Sequence, residues 1–93
     1  MTLILKDPGA ALDYAVDWGA DYLDGDAIAQ SSWSVDPVES GGLMIDSSFF
    51  DFQTATVSTS GGLAGRIYRL INTVTLASGR VDRRSLVIRA EQR

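Results

Sequence analysis

The sequence predicts an all-β protein, an antiparallel β-sandwich of about seven short strands forming a single domain over residues 1–93. Three observations predict it. Apolar residues recur at every second position in several short runs. Glycine pairs and an Asp-Gly step separate those runs. No apolar stripe of helical period is long enough for a substantial helix, and short strands at this spacing pack as two layers.

The first run, TLIL at Thr2 to Leu5, is followed at once by Lys6, Asp7 and Pro8. It reads as the domain's own first strand in preference to an arm that adds to a neighbour's sheet. Leu12, Tyr14, Val16 and Trp18 then alternate with Asp13, Ala15 and Asp17, the period of a half-buried strand with its aspartates in water. A helix would scatter Tyr14, Val16 and Trp18 around its cylinder and stack like charges at a spacing of four. Gly19 ends the run, Ala20 to Leu23 allow one helical turn, and DGD at Asp24 to Asp26 is a turn. The next strand runs from about Ala27 to Val35 and closes at Asp36-Pro37. Trp33 and Val35 share a face that Ile28 does not, so a bulge near Gln30 to Ser32 is needed to restore the register.

Beyond Gly41-Gly42, Leu43 to Phe52 form a strand with Leu43 and Ile45 in phase and a slip before Phe49 and Phe50. TATVSTS, Thr54 to Ser60, is rich in β-branched residues. After Gly61-Gly62 and Gly65, RIYRLINTVTL is the strongest strand. Tyr68, Leu70 and Val74 face one way and Ile67 and Ile71 the other, which predicts a central strand covered on both sides. SGR at Ser78 to Arg80 turns the chain into VDRRSLVIRA, where Leu86 and Ile88 alternate with Ser85, Val87 and Arg89. Immunoglobulin-like sandwiches carry a tyrosine near the start of the penultimate strand whose hydroxyl ties back to the preceding corner. Tyr68 is placed either for that role or as an ordinary core aromatic.

Composition closes off several kinds of chemistry. Without cysteine there are no disulfides and no thiolate ligands, and without histidine the commonest metal ligand and general base is missing. A cysteine-free chain suits cytosolic synthesis. No apolar run approaches the roughly 18 residues that cross a bilayer, and no signal peptide is recognisable, so no membrane is expected. Charge is uneven: Met1 to Asp51 carry one lysine against ten acids, net −9, and Phe52 to Arg93 carry seven arginines against two acids, net +5. A chain of net charge −4 is not expected to bind nucleic acid. Arginine suits bidentate contacts to carboxylates, within the fold or across an interface.

The constellations that could carry chemistry are weak. Placing Gly25 at the sixth position of an EF-hand loop puts Ala20 first, Tyr22 third and Ser31 twelfth, which rejects that motif. Asp21, Asp24 and Asp26 are then solvated turn carboxylates or, as the alternative, a looser calcium site; no metal ligand is assigned. Serines lack a histidine base and a GxSxG setting, and SGGLAG lacks the lysine of a phosphate loop. No catalytic residue, cofactor or enzymatic activity is expected. Among Tyr14, Trp18, Tyr22, Trp33, Phe49, Phe50 and Phe52, phasing puts most in the core, with Phe50 and Phe52 the exposed exceptions. Arg66, Arg69, Arg83, Arg84 and Arg89 fall on two neighbouring strands, with Arg83 and Arg89 on one face and Arg84 on the other. The candidate interface residues are therefore Arg83, Arg84, Arg89, Phe50 and Phe52.

The segments LKDPGAALDYAVDW, DAIAQSSWSV and TATVSTSGGLAGRIYRLINTVTLASGRVDRRSLVIRAEQR resemble small immunoglobulin-like structural proteins of tailed bacteriophages and prophages, some described as fiber-tail adaptors. The resemblance covers nearly the whole chain and is most specific at KDP with DYAVDW, at IAQSSW, at GGLAGRIYRLINTVTLASGR and at RSLVIR. It implies an immunoglobulin-like sandwich and a non-enzymatic virion protein, made in the bacterial cytoplasm, that acts as adaptor or connector in the tail or fiber region. Its implied partners are other virion or tail proteins, with self-association a further option. The segment PVESGGLMIDSSFFDFQ departs from the family pattern. The alternatives are a capsid decoration protein, a carbohydrate-binding module using the aromatics, and a calcium-dependent adhesion module.

Overall fold

A computed structural model describes residues 2–7 and 9–91, without the side chains of residues 2, 3, 20 and 21. Alternation becomes strand in seven places: β1 Thr2–Lys6, β2 Leu12–Asp17, β3 Ile28–Asp36, β4 Met44–Phe50, β5 Thr54–Ser60, β6 Ile67–Leu76 and β7 Val81–Ala90. A single helical turn, α1 at Ala20–Leu23, follows β2, as the sequence allows. The strands form two sheets, ordered β1-β7-β6-β3 and β2-β5-β4. The protein is all-β and two-layered as expected, with one correction to the antiparallel expectation: β1 runs parallel to β7, with Ile4 opposite Ile88 and Lys6 opposite Ala90. The chain leaves β1 to begin β2 in the other sheet, so β1 can meet β7 only by a long crossover, the connection parallel pairing requires. TLIL is thus the chain's own edge strand; Pro8, which follows it, lies outside the described residues.

The inward faces meet in two clusters. Tyr14 and Val57 from the three-stranded sheet pack with Leu43 and with Tyr68, Leu70 and Ile88 from the other sheet. Val16, Trp18, Leu23 and Ile28 pack with Val74 and Leu76. Trp33 touches both clusters and joins them. Burial of each large aliphatic side chain contributes about 1.5–3 kcal/mol relative to exposure. Trp18 brings its indole N–H into this core and donates it to Asn72 Oδ1 at 3.1 Å. The Asn72 amide in turn donates to Ser31 Oγ at 2.9 Å and to the Ser32 carbonyl at 3.1 Å. The buried Asn72 on β6 therefore ties Trp18, just past the end of β2, to β3.

Two details differ from the sequence reading. β6 is central in its sheet, but only one of its faces is covered. Tyr68, Leu70, Asn72, Val74 and Leu76 point inward, whereas Ile67 is 57% exposed and Ile71 half-buried, because no third layer packs outside β6 among the described residues. The bulge of β3 lies at Ala29, one residue before the expected stretch, since Ile28 pairs with Leu76 and Gln30 with Thr75. The slip expected before Phe49 is a bulge at Asp46, between Ile45 opposite Thr59 and Ser47 opposite Ser58.

Two polar anchors fix the corners. The Tyr68 hydroxyl accepts the Leu63 N–H at 2.9 Å and donates to the Glu39 carboxylate at 2.7 Å, so it ties β6 to the preceding corner. Its burial pushes its pKa up. Lys6 is 1% exposed, and its ammonium donates to the carbonyls of Asp7 at 3.1 Å, Ala10 at 2.5 Å and Gly61 at 2.7 Å. Burial pushes its pKa down, with Asp7 and Asp46 pulling the other way. Gly61 is required at that junction: its φ is +78°, and a Cβ there would lie 2.5 Å from the Gly42 carbonyl oxygen.

Candidate interaction surface

Strand parity and register decide which side chains leave the sandwich. On the outer face of the four-stranded sheet, Leu5 and Ile67 flank Arg89, Arg69 stands between Val87 and Asp36, and Arg83 is opposite Thr73. On the outer face of the three-stranded sheet, Asp13 and Asp17 stand opposite Ser58 and Thr54, and Phe49 opposite Thr56. Asp46, at the β4 bulge, accepts the Ser60 hydroxyl at 3.0 Å. The uneven charge of the sequence thus becomes two opposed faces, one carrying Arg69, Arg83 and Arg89 with Asp36 among them and the other carrying Asp13, Asp17 and Asp46. Pairing within the fold is scarce: among the described residues the one ion pair is Arg89 Nε with Glu91 Oε1 at 2.9 Å, and both partners come from the basic half.

Arg84 has a different setting from Arg83 and Arg89. Parity turns it toward the flank beside α1, where its guanidinium lies 4.4 Å from the Trp18 ring centroid and 5.4 Å from that of Tyr22. It also donates to the Asp17 carbonyl at 3.1 Å. Arg80 lies 5.1 Å from the Tyr22 ring, and the Tyr22 hydroxyl donates to Asp82. That hydroxyl, the Arg83 N–H and the charges of Arg80 and Arg84 hold the Asp82 carboxyl below its ordinary value. Of the arginines singled out in the sequence, Arg83 and Arg89 share a face with Arg69, and Arg84 is occupied in closing the fold.

The phenylalanines are uncovered. Phe49 is 66% exposed, Phe50 41% and Phe52 67%. β4 ends at Phe50, and Asp51 shapes the loop that follows by accepting the N–H groups of Gln53 at 2.8 Å and Thr54 at 2.7 Å. The loop backbone is held on the core side as well, where the Phe52 carbonyl accepts the Ile28 N–H and the Gln53 carbonyl accepts the Trp18 N–H, both at 3.0 Å. Phe52 therefore projects from a fixed backbone. With Leu23, Gly25, Asp26, Ala27 and Gln53 it lines an open recess of about 340 Å³. The sequence reading expected Phe50 and Phe52 outside and missed that Phe49 is the more exposed of the adjacent pair. The signal was present, because consecutive strand residues point to opposite faces and one member of Phe49-Phe50 had to leave the core.

The turn aspartates have structural partners. Asp26 accepts the N–H groups of Ala27 at 2.9 Å and Ser78 at 3.2 Å, and its other oxygen accepts the Ser78 hydroxyl at 2.5 Å. These bonds, the Ser78 hydroxyl first, hold its pKa below the ordinary carboxylate value and pin the DGD turn to the β6–β7 turn. Asp24 takes the left-handed conformation, φ 48°, that this reversal needs. The Asp21 side chain lies outside the described residues, and among the described residues no three acidic side chains gather as a metal site. Trp18 is in the core and Trp33 packs against it, so the exposed aromatics are the phenylalanines.

The model of one protein family, described as podophage GP4 fiber-tail adaptor protein gp77, matches residues 6–89. No curated protein matches the chain.

Proposed function

The chain belongs to the podophage GP4 fiber-tail adaptor family, and from that membership we propose that it is a non-enzymatic adaptor joining tail and fiber proteins of a phage or prophage particle. The observation that carries the proposal is the family match, which spans residues 6–89. The β4 edge supports it, because Phe49 and Phe52 project outward beside the partly exposed Phe50, and large apolar side chains so placed are suited to a protein partner. Manufacture in the bacterial cytoplasm before incorporation belongs to the same reading.

We read the fold as immunoglobulin-like. In support, the second, fifth and fourth strands form one sheet, while the third, sixth and seventh lie together in the other, the partition found in such sandwiches. The Tyr68 hydroxyl bound to the Leu63 N–H supports the same reading. Placement of β1 beside β7 departs from the constant-type arrangement.

Co-expression with the tail and fiber proteins of its own particle, followed by gel filtration, tests the adaptor role. A stable complex with at least one of them is expected, weakened in a Phe49→Asp, Phe52→Asp double variant that still folds. Failure to bind any of them refutes the proposal.

A further inference from the structure

The two outer faces carry charge of opposite sign, and the fold leaves most of it unpaired. Arg69 and Arg83 stand on the four-stranded sheet in no ion pair among the described residues, with Asp36 opposite Arg69 and the apolar Ile67, Ile71 and Val87 on the same face. Asp13 and Asp17 stand on the three-stranded sheet in no ion pair among the described residues, opposite Ser58 and Thr54 of β5, and the Asp17 carboxylate also accepts the Gly19 N–H at 2.9 Å and the Gln53 amide at 3.3 Å. The spacings agree. Arg69 lies opposite Val87, four residues along β7 from Arg83, and Asp13 and Asp17 are four residues apart on β2. At ~3.4 Å per residue each pair spans about 14 Å.

We propose that each face docks on the opposite face of a second copy of this chain, with Arg69 and Arg83 of one copy meeting Asp13 and Asp17 of the next. The inference rests on the reading of the chain as an assembly subunit and names one of its partners. Guanidinium groups reach carboxylates in bidentate geometry, and the short Ser and Thr side chains of the acidic face leave room for Ile67 and Val87 to approach. The body measures 42 × 21 × 17 Å, so a broad face is on the order of the ~800 Å² per partner that a stable contact buries. The contact joins unlike faces and leaves one of each free, so it repeats from copy to copy and builds a ring or a stack rather than stopping at a pair.

Sedimentation velocity of the intact chain across concentration, at low and moderate salt, tests this. Species that grow past two copies with concentration and shrink with salt are expected. Two charge-reversed variants, Asp13→Arg with Asp17→Arg and Arg69→Glu with Arg83→Glu, should each sediment as monomers while melting like the parent. Mixing them should restore the large species, because both contacts are then complementary again. A parent chain that stays monomeric at low salt overturns the proposal. So does a variant that associates as the parent does, since that outcome means a symmetrical contact through a single face. Either result leaves the adaptor role standing, because that role is read from binding to tail and fiber proteins.

Discussion

Aromatic side chains stand at the margin of the core in two places, and the chain treats them differently. On the flank beside α1, Trp18 and Tyr22 lie 5.5 Å apart, with Arg84 over both rings and Arg80 over Tyr22. At the β4 edge, Phe49, Phe50 and Phe52 have no such cover. Arginine over an aromatic ring removes apolar surface from water and keeps a solvated charge outside, and the flank shows that this chain has that device available. Where the device is absent, the apolar surface stays bare. The first region is closed within the chain, and the second is left open.

That contrast can be broken by mutation, in order of expected effect. Trp18→Ala removes a buried indole and its bond to Asn72, and should cost about 3–5 kcal/mol in urea unfolding. Arg84→Met keeps much of the packing on Trp18 but removes the cation, for a loss of about 1 kcal/mol. Acid should act through the closed flank next. The folded pKa values of Asp82 and Asp26 are depressed below the ordinary 3.8, so their stabilisation is present above that pH and is lost as pH falls through the lower folded values. A melting series from pH 5 to 2 should show that decline, and Asp82→Asn should make it shallower. The smallest change in stability belongs to the open edge: Phe49→Ser and Phe52→Ser should each stay within about 0.5 kcal/mol of the parent. A large loss there would mean that the edge is part of the core after all.

Much of this arrangement was legible from alternation. Tyr14, Val16 and Trp18 against Asp13 and Asp17 places β2 correctly and orients it, because a strand's parity is local. Parity also separates Arg84 from Arg83 and Arg89. What Arg84 meets was not legible, since Trp18 and Tyr22 reach it only when α1 and β7 are brought together by the fold. The parallel pairing of β1 was hidden for the same reason, because nothing near TLIL specifies a partner at the far end of the chain. The faces themselves were half visible: the sequence separates acidic and basic halves, but only the sheet order sends β2 and β4 to one layer and β6 and β7 to the other. Ile67 and Ile71 misled because apolar residues on both faces of a strand suggest two covering layers, and here the outer one does not exist among the described residues.

The pairing of β1 with β7 also bears on timing. Thr2 lies opposite Leu86 and Lys6 opposite Ala90, so the earliest strand has no hydrogen-bonding partner until the latest one has been synthesised. Contacts between segments so far apart carry a large loop-closure entropy and make for slow folding. Arg83 and Arg89 lie on that same late strand, so a nascent chain cannot present the complete basic face while it is still being translated. Any contact made through that face must therefore wait until β7 is complete.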